Sequence, residues 1–424
     1  MNVAGSLRVP GDKSISHRAL IFGALAGGNG SSRSESRVTG ILQSADVEST
    51  AGVLRALGAD VPPLSQDFMI RGTGRHLRQP QRALDCGNSG TTTRLVAGVV
   101  AASPINATFV GDASLSRRPM RRIARPLEAM GCTVELPSHS GLPMTIHGGA
   151  LHDIDWRSEV ASAQIKSAIL LAALVAGVRA RVTEPVRSRD HTEKMLAARG
   201  AALHVDGTSV TIEPTDTLAP LDTQVPGDPS SAAFFAGLAA IADSGCLRLH
   251  SVLVNETRTG FLHQLRAMGA VVTEENRRLE GGEWVADLLV SPNHLRGVTV
   301  TDAEVPSMID ELPLLACLAA RAKGETVITG ANELRVKESD RIAAVVANLR
   351  AVGATAHELP DGMRIEGSDR PLRGRVVTHG DHRLAMAFGV LGAAAGNAID
   401  IDDRDCVSVS YPGFWRDLDC VTGL

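Results

Sequence analysis

Apolar residues are concentrated in six segments rich in Ala, Leu and Val, and a short polar or charged cluster precedes or opens nearly every segment. The ends of successive segments lie between 66 and 80 residues apart. This spacing is longer than an ordinary solenoid repeat and suits a βαβ-sized unit that carries its own strands. The pattern therefore predicts six copies of one α/β unit, with apolar helices at residues 18–26, 91–102, 162–176, 230–242, 309–322 and 382–395.

A second series of helices is offset from the first and ends in glycine before a strand. Glycine suits the left-handed residue that terminates a helix, because it has no Cβ. The predicted terminating residues are Gly58, Gly131, Gly200, Gly269 and Gly353, and the strands that follow them end at Val61, Val134, Val205, Val272 and Ala356. The sixth copy is shorter than the others. We predict that residues 6–10 supply its missing strand and place both chain ends in one domain.

Length and composition indicate a soluble protein of two or three domains. The chain has 424 residues, 44% of them hydrophobic, and Met1 is not followed by the apolar region of a signal peptide. The longest apolar run, residues 168–178, is too short to cross a bilayer. The six cysteines are dispersed without a CxxC spacing. We therefore expect a cytoplasmic protein that has neither a metal site nor a disulfide.

Charge points to a small anionic ligand and away from nucleic acid. The net charge is −4 and aromatic residues make up only 3% of the chain, which leaves few platforms for stacking bases. Arg and Lys are nevertheless clustered at residues 117–122 and 335–341. Local groups of cations in an acidic chain are typical of sites for phosphates or carboxylates.

The polar clusters of the first three copies have residues suited to binding an anion. In PGDKSISHR (10–18), Lys13, Ser14 and Arg18 lie near a predicted helix start, where free backbone N–H groups and the helix dipole favour anions. CGNSGTTTR (86–94) and SAQIK (162–166) repeat the arrangement. A capped surface helix with solvated charges would look similar. The first cluster lacks the spacing of a Walker A loop.

The later copies add carboxylates and more cations. Asp310 opens the fifth apolar segment with Glu311 beside it, and a carboxylate near a substrate hydroxyl can act as a general base. Lys337 and Arg341 are four residues apart, so on one helix both would face one ligand, with Glu338 on the neighbouring face. An exposed charged helix is the alternative. The fourth cluster, GDPSS (227–231), has no cation nearby in the sequence and could be structural.

Taken in order, the motifs PGDKSISHR, GNSGTTTR, Arg118-Pro119, SAQIKSA, RDHTEKM, SMIDELP, LRVKESDR and DHR resemble the 5-enolpyruvylshikimate-3-phosphate synthase family across nearly the whole chain. SAQ, RDHTEKM and SMIDE are closer to the second bacterial subclass. The resemblance implies an α/β protein with the enolpyruvyl transferase fold, a two-domain inverse α/β barrel of six βαβαββ repeats, three per domain. The implied domains are 12–225 and 1–11 plus 226–424, with the active site in the cleft between them.

The resemblance also implies which residues meet the two substrates. The expected shikimate 3-phosphate ligands are Lys13, Ser14, Arg18, Ser162, Ala163, Gln164, Arg189, Asp310 and Lys337. Those expected for phosphoenolpyruvate are Lys13, Gly90, Arg118, Gln164, Arg341 and Arg383. Asp310 resembles the base that accepts the 5-hydroxyl proton, Glu338 the group that exchanges a proton with the C3 methylene, and Lys13 a further catalytic cation.

The family reaction transfers the enolpyruvyl group of phosphoenolpyruvate and releases phosphate, as a step of the shikimate pathway to chorismate and the aromatic amino acids. It implies no metal and no organic cofactor, and we expect a monomer. Many members carry a Lys before a Thr-Phe-Pro near the C-terminus, but Val409 stands at the matching position, so that role does not transfer. Gly90 is retained where some glyphosate-insensitive relatives carry Ala, which predicts inhibition by glyphosate.

Two other functions are weighed against this one. UDP-N-acetylglucosamine enolpyruvyl transferases share the fold and the phosphoenolpyruvate chemistry, but they carry a reactive Cys in a loop for which residues 112–119 contain no Cys. Cys86 and Cys132 lie outside that stretch. A catalytically silent protein could bind phosphorylated metabolites with the same helix starts. Asp310 and Glu338, which such a protein would not need, are both present.

Overall fold

The computed structural model describes residues 1–27 and 34–423. All six predicted apolar segments form helices there, and the fifth begins with a 3-10 turn at Ile309–Glu311. The α-helices of the described residues are α1 (Lys13–Leu25), α2 (Ala45–Ala56), α3 (Gly90–Ala101), α4 (Ala113–Ser116), α5 (Arg121–Ala129), α6 (Ala163–Ala176), α7 (His191–Ala197), α8 (Pro229–Ala240), α9 (Gly260–Ala267), α10 (Leu312–Ala319), α11 (Arg341–Ala351), α12 (His382–Ala393) and α13 (Phe414–Thr422).

The strands of the described residues contain between 2 and 10 residues each. They are β1 (Gly5–Leu7), β2 (Ser34–Thr39), β3 (Asp67–Gly72), β4 (Leu84–Asp85), β5 (Asn106–Val110), β6 (Thr133–Glu135), β7 (Met144–His147), β8 (Ile154–Arg157), β9 (Ala180–Thr183), β10 (Leu203–Asp206), β11 (Ser209–Ile212), β12 (Thr223–Gln224), β13 (Leu247–Leu253), β14 (Val271–Glu280), β15 (Glu283–Ser291), β16 (Thr299–Val300), β17 (Glu325–Ile328), β18 (Thr355–Leu359), β19 (Gly362–Glu366), β20 (Arg373–Val376) and β21 (Ala398–Ile401).

One sheet pattern recurs along the chain and confirms the repeat. In the second copy, the strand before the apolar helix, β4, pairs in parallel with the strand after it, β5. An antiparallel hairpin then completes the sheet in the order β4-β5-β7-β6. The third and fifth copies have the same arrangement, β8-β9-β11-β10 and β16-β17-β19-β18. Each of these three copies is thus a βαβ unit followed by a further helix and a hairpin.

The first and fourth copies exchange their leading strands, and this corrects one prediction. The strand that precedes α1, β1, pairs in parallel with β13 of the fourth copy, whereas β12, which precedes α8, pairs in parallel with β2 of the first. The N-terminal strand therefore does not complete the sixth copy, whose strands β20 and β21 form a sheet of their own. The exchange follows from the chain path, since each leading strand stays in the compact unit that the chain is about to leave.

The glycine-terminated helices are confirmed. Gly58, Gly131, Gly200, Gly269 and Gly353 all have positive φ, between 84° and 108°. Four of the five strands expected after them form, and the first does not, because only an isolated bridge at Asp60 is present. Pro62 and Pro63 follow at once. Proline has no N–H to donate to a sheet, which explains why pairing stops there.

Contacts within the chain define two compact units. One consists of Met1–Pro10, Pro226–Arg278 and the chain from Trp284 onward, and the other of Gly11–Val225 together with Leu279–Glu283. The last segment is the tip of the β14–β15 hairpin, whose strands otherwise pair within the first unit. Throughout the described residues, the helices are too short or too polar for a membrane crossing.

Close helix packing fixes the apolar segments of the second and third copies. At Gly98 of α3, an added Cβ would lie 2.1 Å from the carbonyl oxygen of Ala168 on α6. The two backbones therefore approach more closely than any side chain allows. Because these helices are held so tightly, the polar residues at their N-terminal ends have fixed positions relative to one another.

Candidate active site

In the unit formed by Gly11–Val225 and Leu279–Glu283, the predicted ligands of the first copy lie at the start of α1. Asp12 caps the helix by accepting a 2.7 Å hydrogen bond from the Ile15 N–H. Lys13 is partly exposed and forms an ion pair with Asp46. Arg18 is almost completely buried, and burial lowers its pKa to about 10 against the charges of Glu193 and Asp12. The ammonium group of Lys13 and the guanidinium group of Arg18 thus lie near the start of the same helix.

Arg18 connects this helix start to α6 and α7. Its Nε donates to the Thr192 hydroxyl at 2.8 Å and its Nη2 to the Ser167 hydroxyl at 2.9 Å. Its Nη1 also donates to the carbonyl oxygen of Ser14, at 3.0 Å. No sequence pattern indicates these contacts, because the partners lie up to 174 residues away along the chain. Arg18 is a fixed group of the site whose orientation depends on the third copy.

A chain of buried hydrogen bonds joins the helix starts of the first two copies. The His17 ring contacts the Thr50 hydroxyl at 2.6 Å, Thr50 contacts Thr92 at 2.6 Å, and Thr92 donates to Ser89 at 2.7 Å. Burial, with Lys13 and Arg18 nearby, holds the pKa of His17 well below its ordinary value. His17 is therefore a neutral structural link.

Two guanidinium groups converge on Gly90, the first residue of α3. A Cβ at this position would lie 3.0 Å from Nη1 of Arg94 and 3.5 Å from Nη1 of Arg118. Arg118 also donates to the side-chain oxygen of Asn88 at 2.7 Å. Backbone without a side chain, beside two cations at a helix N-terminus, suits a phosphate or carboxylate group.

Arg94 belongs to the quoted motif GNSGTTTR but was absent from the predicted ligand set. Its Nη1 donates to the side-chain oxygen of Gln164 at 2.6 Å, and the Gln164 amide donates to the Thr91 hydroxyl at 3.1 Å. The structure therefore brings Gln164 together with Gly90 and Arg118. Its position one turn into the helix, like that of Arg18, is the sequence signal that places Arg94 in the second polar cluster.

The remaining predicted ligands of this unit lie at the start of α6 and just before α7. Ser162 caps α6, and its backbone N–H donates to Glu184 at 2.8 Å. Ala163 follows as the first helical residue. Arg189 lies half-buried in the loop that leads into α7. Through the Arg18 contacts with α6 and α7, these groups and the start of α1 form one polar region.

In the other unit, Asp310 lies among three cations. Its carboxylate is 3.6 Å from the Lys337 ammonium, 3.6 Å from Nη1 of Arg341 and 3.8 Å from Nη2 of Arg383. Nη1 of Arg383 also donates to the Asp310 backbone carbonyl at 3.1 Å. Three positive charges favour the ionised carboxylate, which is the form required of a base.

Arg341 is held by carboxylates on two sides. Asp381, fully buried, accepts from its Nε at 2.8 Å and its Nη2 at 3.1 Å, and Glu338 accepts from Nη2 at 2.6 Å. Burial acts to lower the pKa of Arg341, but Asp381, Glu338 and Asp310 raise it above its ordinary value. Nη1 is buried and has no hydrogen-bond partner among the described residues. An anionic ligand could satisfy it.

One prediction about these copies is wrong. Lys337 and Arg341 do not share a helix, since Lys337 is the capping residue after the 3-10 segment Asn332–Val336 and α11 begins at Arg341. Both nevertheless approach Asp310 because the chain turns between them. The fourth cluster does have a cation in space, since Arg258 donates to the Ser230 hydroxyl at 2.9 Å. The sequence does not indicate this contact, because Arg258 lies 28 residues from Ser230 along the chain.

A separate polar group lies within the unit formed by Gly11–Val225 and Leu279–Glu283. Potential ligand atoms of Asp190, His191 and Glu283 are all within 4.8 Å of one another and buried. The cations Arg187, 2.6 Å from Asp190, and Lys194, 3.6 Å from Glu283, balance the two carboxylates. This arrangement has the charge balance of an ion-pair network.

Known proteins match this chain over nearly its whole length. The family model described as EPSP synthase (3-phosphoshikimate 1-carboxyvinyltransferase) matches residues 1–418. The chain is 48% identical, over 99% of its length and 97% of the relative, to the 3-phosphoshikimate 1-carboxyvinyltransferase of Sulfurihydrogenibium sp. (strain YO3AOP1). It is 49% identical to the protein of the same name from Alkalilimnicola ehrlichii, over 97% and 91% of the two chains.

Solved structures show the same fold. EPSP synthase from Acinetobacter baumannii superposes with a TM-score of 0.88 at 40% identity and covers 99% of this chain and 96% of its own. The enolpyruvyl transferase NikO from Streptomyces tendae has a TM-score of 0.75 at 17% identity, with 99% and 95% covered, and supports the fold alone. The predicted two-domain enolpyruvyl transferase fold is confirmed. This chain belongs to the EPSP synthase (3-phosphoshikimate 1-carboxyvinyltransferase) family.

Proposed function

We propose that this protein transfers the enolpyruvyl group of phosphoenolpyruvate to the 5-hydroxyl of shikimate 3-phosphate, which releases phosphate and forms 5-enolpyruvylshikimate 3-phosphate. The observation that carries the proposal is the group of three cations around the Asp310 carboxylate. Lys337, Arg341 and Arg383 lie between 3.6 and 3.8 Å from its carboxylate. The group thus combines an ionised base with cations that can bind an anionic substrate.

The proposed ligands follow the sets expected from the sequence. Shikimate 3-phosphate would contact Lys13, Ser14, Arg18, Ser162, Ala163, Gln164, Arg189, Asp310 and Lys337. Phosphoenolpyruvate would contact Lys13, Gly90, Arg118, Gln164, Arg341 and Arg383, and we add Arg94 because it bonds to Gln164 and borders Gly90. The buried Nη1 of Arg341, which has no hydrogen-bond partner among the described residues, supports the place of Arg341 in this set.

In the proposed first step, Asp310 accepts the proton of the 5-hydroxyl as the oxygen attacks C2 of phosphoenolpyruvate. Glu338, hydrogen-bonded to Arg341 at 2.6 Å, participates in protonating the C3 methylene to a methyl group. In the second step, the tetrahedral intermediate loses phosphate, and a proton leaves the methyl group to restore the double bond. Lys13 and the arginines would stabilise the phosphate and carboxylate charges throughout.

Several broader assignments belong to the same proposal. We propose that the functional domains are 12–225, on the shikimate 3-phosphate side, and 1–11 plus 226–424. We also propose that the protein works in the cytoplasm as a monomer, on small-molecule substrates, in the pathway to chorismate. Retention of Gly90 supports inhibition by glyphosate as a further part of the proposal.

A phosphate-release assay tests the proposal. The protein is incubated with phosphoenolpyruvate and either shikimate 3-phosphate or UDP-N-acetylglucosamine. We expect release only with shikimate 3-phosphate, and a loss of at least about 100-fold in the Asp310→Asn variant, because that variant lacks the base. Release with the nucleotide sugar alone would favour the related transferase. No release with either acceptor, together with normal binding, would favour a silent binding protein.

A further inference from the structure

A buried ion triad in the third copy consists of three charged residues that are not in the proposed ligand sets. One lies on α6, one on α7 and one directly after β9. Lys166, Glu184 and Glu193 are each no more than 4% exposed. The Lys166 ammonium is 2.9 Å from Glu184 and 2.8 Å from Glu193. Burial acts to lower the pKa of Lys166, but Glu193 and Glu184 raise it above its ordinary value, so the ammonium stays charged.

Stability alone does not account for this triad. Replacing a buried ion pair by apolar residues of similar volume is often neutral or stabilising, because desolvating charges offsets much of their attraction. Buried charges do, however, restrict the geometry of the elements that carry them. The triad is therefore better explained by the groups that it holds in place.

Glu184 fixes the start of α6. Its Oε1 accepts a 2.8 Å hydrogen bond from the backbone N–H of Ser162 and a 2.7 Å hydrogen bond from the Ser188 hydroxyl. Ser162 is both the cap of α6 and a proposed shikimate 3-phosphate ligand. Ser188 immediately precedes Arg189, another proposed ligand. One carboxylate therefore positions two segments that bind the same substrate.

Lys166 and Glu193 hold α6 against α7 beside a third ligand. Each is the direct neighbour in sequence of a residue that contacts Arg18: Ser167 follows Lys166 and Thr192 precedes Glu193. The Ser167 and Thr192 hydroxyls lie 2.7 Å apart and both accept from Arg18. The ion pair between α6 and α7 thus sets the spacing of the two hydroxyls that orient the guanidinium group.

We propose that Lys166, Glu184 and Glu193 are positioning residues that preorganise Ser162, Arg18 and Arg189 for shikimate 3-phosphate. They do not contact the substrate themselves, and the inference rests on the proposed function. Their proposed role is to strengthen the binding of one substrate, shikimate 3-phosphate. Loss of the triad weakens binding of shikimate 3-phosphate and leaves the Gly90 region, with its own bonds between Arg94 and Gln164, largely intact.

Isothermal titration with shikimate 3-phosphate and steady-state kinetics test this inference on three variants. In Lys166→Met the dissociation constant of shikimate 3-phosphate rises at least about tenfold, and in Glu193→Gln about threefold or more, as for other groups that orient a ligand-binding residue. Lys166→Arg, which keeps the charge, stays closer to the wild type than Lys166→Met. At saturating shikimate 3-phosphate, the KM for phosphoenolpyruvate changes less than about threefold.

A control separates positioning from general destabilisation. Ile212 is fully buried in the same sheet as β9, the strand just before Glu184, and has no polar role. Ile212→Ala lowers the melting temperature but leaves the dissociation constant of shikimate 3-phosphate within about twofold of the wild type. A triad variant that behaves like this control therefore has a structural role only.

The triad borders a cavity of about 210 Å³, where solvent can compensate the loss of one charge. If Lys166→Met nevertheless fails to fold, Glu193→Gln decides the matter, because glutamine keeps the shape of the side chain. A dissociation constant within twofold of the wild type in whichever of Lys166→Met and Glu193→Gln folds overturns the inference. Failure of the wild type itself to bind shikimate 3-phosphate would instead refute the proposed function.

Discussion

The buried pair between Asp381 and Arg341 gives the sharpest prediction for stability. Asp381 is fully buried, accepts two hydrogen bonds from Arg341 at 2.8 and 3.1 Å, and caps α12 by accepting from the Arg383 N–H at 3.0 Å. The change Asp381→Asn removes the charge with little change of shape. The amide oxygen can still cap the helix, so the loss reports mainly on the ion pair.

Removing one partner of a buried ion pair typically costs about 3–5 kcal/mol. Because Glu338 and Asp310 remain near Arg341, we expect the low end, about 3 kcal/mol in the free energy of unfolding. For a unit of this size that corresponds to a melting temperature about 6–12 °C lower. The KM for phosphoenolpyruvate should also rise, since Arg341 would lose its fixed orientation.

Urea unfolding, followed at several pH values, measures the effect. Although burial acts to raise the pKa of Asp381, Arg341 holds it below its ordinary value of 3.8. A depressed pKa stabilises the folded state above the unfolded-state pKa, and this contribution is lost as the pH falls through the folded-state pKa. The difference between wild type and Asp381→Asn should therefore be full at neutral pH and shrink below about pH 4.

A matched control is Asp400→Asn, which removes an exposed carboxylate that pairs with Arg375 at 3.7 Å. An exposed pair contributes at most about 1 kcal/mol, so this variant should unfold almost as the wild type does. The reasoning would be refuted if Asp381→Asn lost less than about 1 kcal/mol at neutral pH, or if the two variants were equally destabilised.

Three further predictions concern catalysis, packing and inhibition. Asp310→Asn should lower kcat at least about 100-fold, with the affinity for shikimate 3-phosphate changed much less, and steady-state kinetics showing a fall below fivefold would contradict its role. Gly98→Ala, with its Cβ 2.1 Å from the Ala168 carbonyl, should cost about 1–3 kcal/mol in urea unfolding, whereas Gly52→Ala, which has open space, should not destabilise. Gly90→Ala should raise the KM for phosphoenolpyruvate and weaken inhibition by glyphosate; a wild type unaffected by millimolar glyphosate at limiting phosphoenolpyruvate would count against this.

The repeat could be predicted because its signals are local. A run of apolar residues that continues for three turns identifies a buried helix, and a glycine before a strand identifies its end. Gly131 and Gly269, for example, both have φ near 107°. The order of the motifs then indicated the family. These features are written in neighbouring residues and need no knowledge of the tertiary structure.

The strand exchange could not be predicted in the same way. The composition of β1 shows that it is a strand, but its partner β13 lies some 240 residues away, and three paired residues carry little information about register. The prediction that β1 pairs within the sixth copy rests on the shorter sequence of that copy. In the structure, the sixth copy instead ends with α13. Phe414 of that helix packs edge-on against Phe234, with the ring centroids 5.8 Å apart.

The polar contacts of the site could not be predicted from the sequence for a related reason. Arg258 reaches the fourth cluster and Lys166 reaches Glu184 because packing brings distant elements together. In sequence, each of these residues resembles an ordinary surface charge. Burial distinguishes them, since Lys166 and Arg258 are less than 5% exposed. Only the folded chain shows that such charges must have partners.

Phosphorus NMR of a mixture of protein, shikimate 3-phosphate and phosphoenolpyruvate tests the central claim most directly. If the protein transfers the enolpyruvyl group, the phosphoenolpyruvate resonance is replaced by that of inorganic phosphate, and the sugar phosphate remains esterified with a shifted resonance. Both changes should occur at the same rate and be nearly absent with Asp310→Asn. Persistence of the phosphoenolpyruvate resonance, or appearance of a second phosphate ester on shikimate 3-phosphate, would contradict enolpyruvyl transfer.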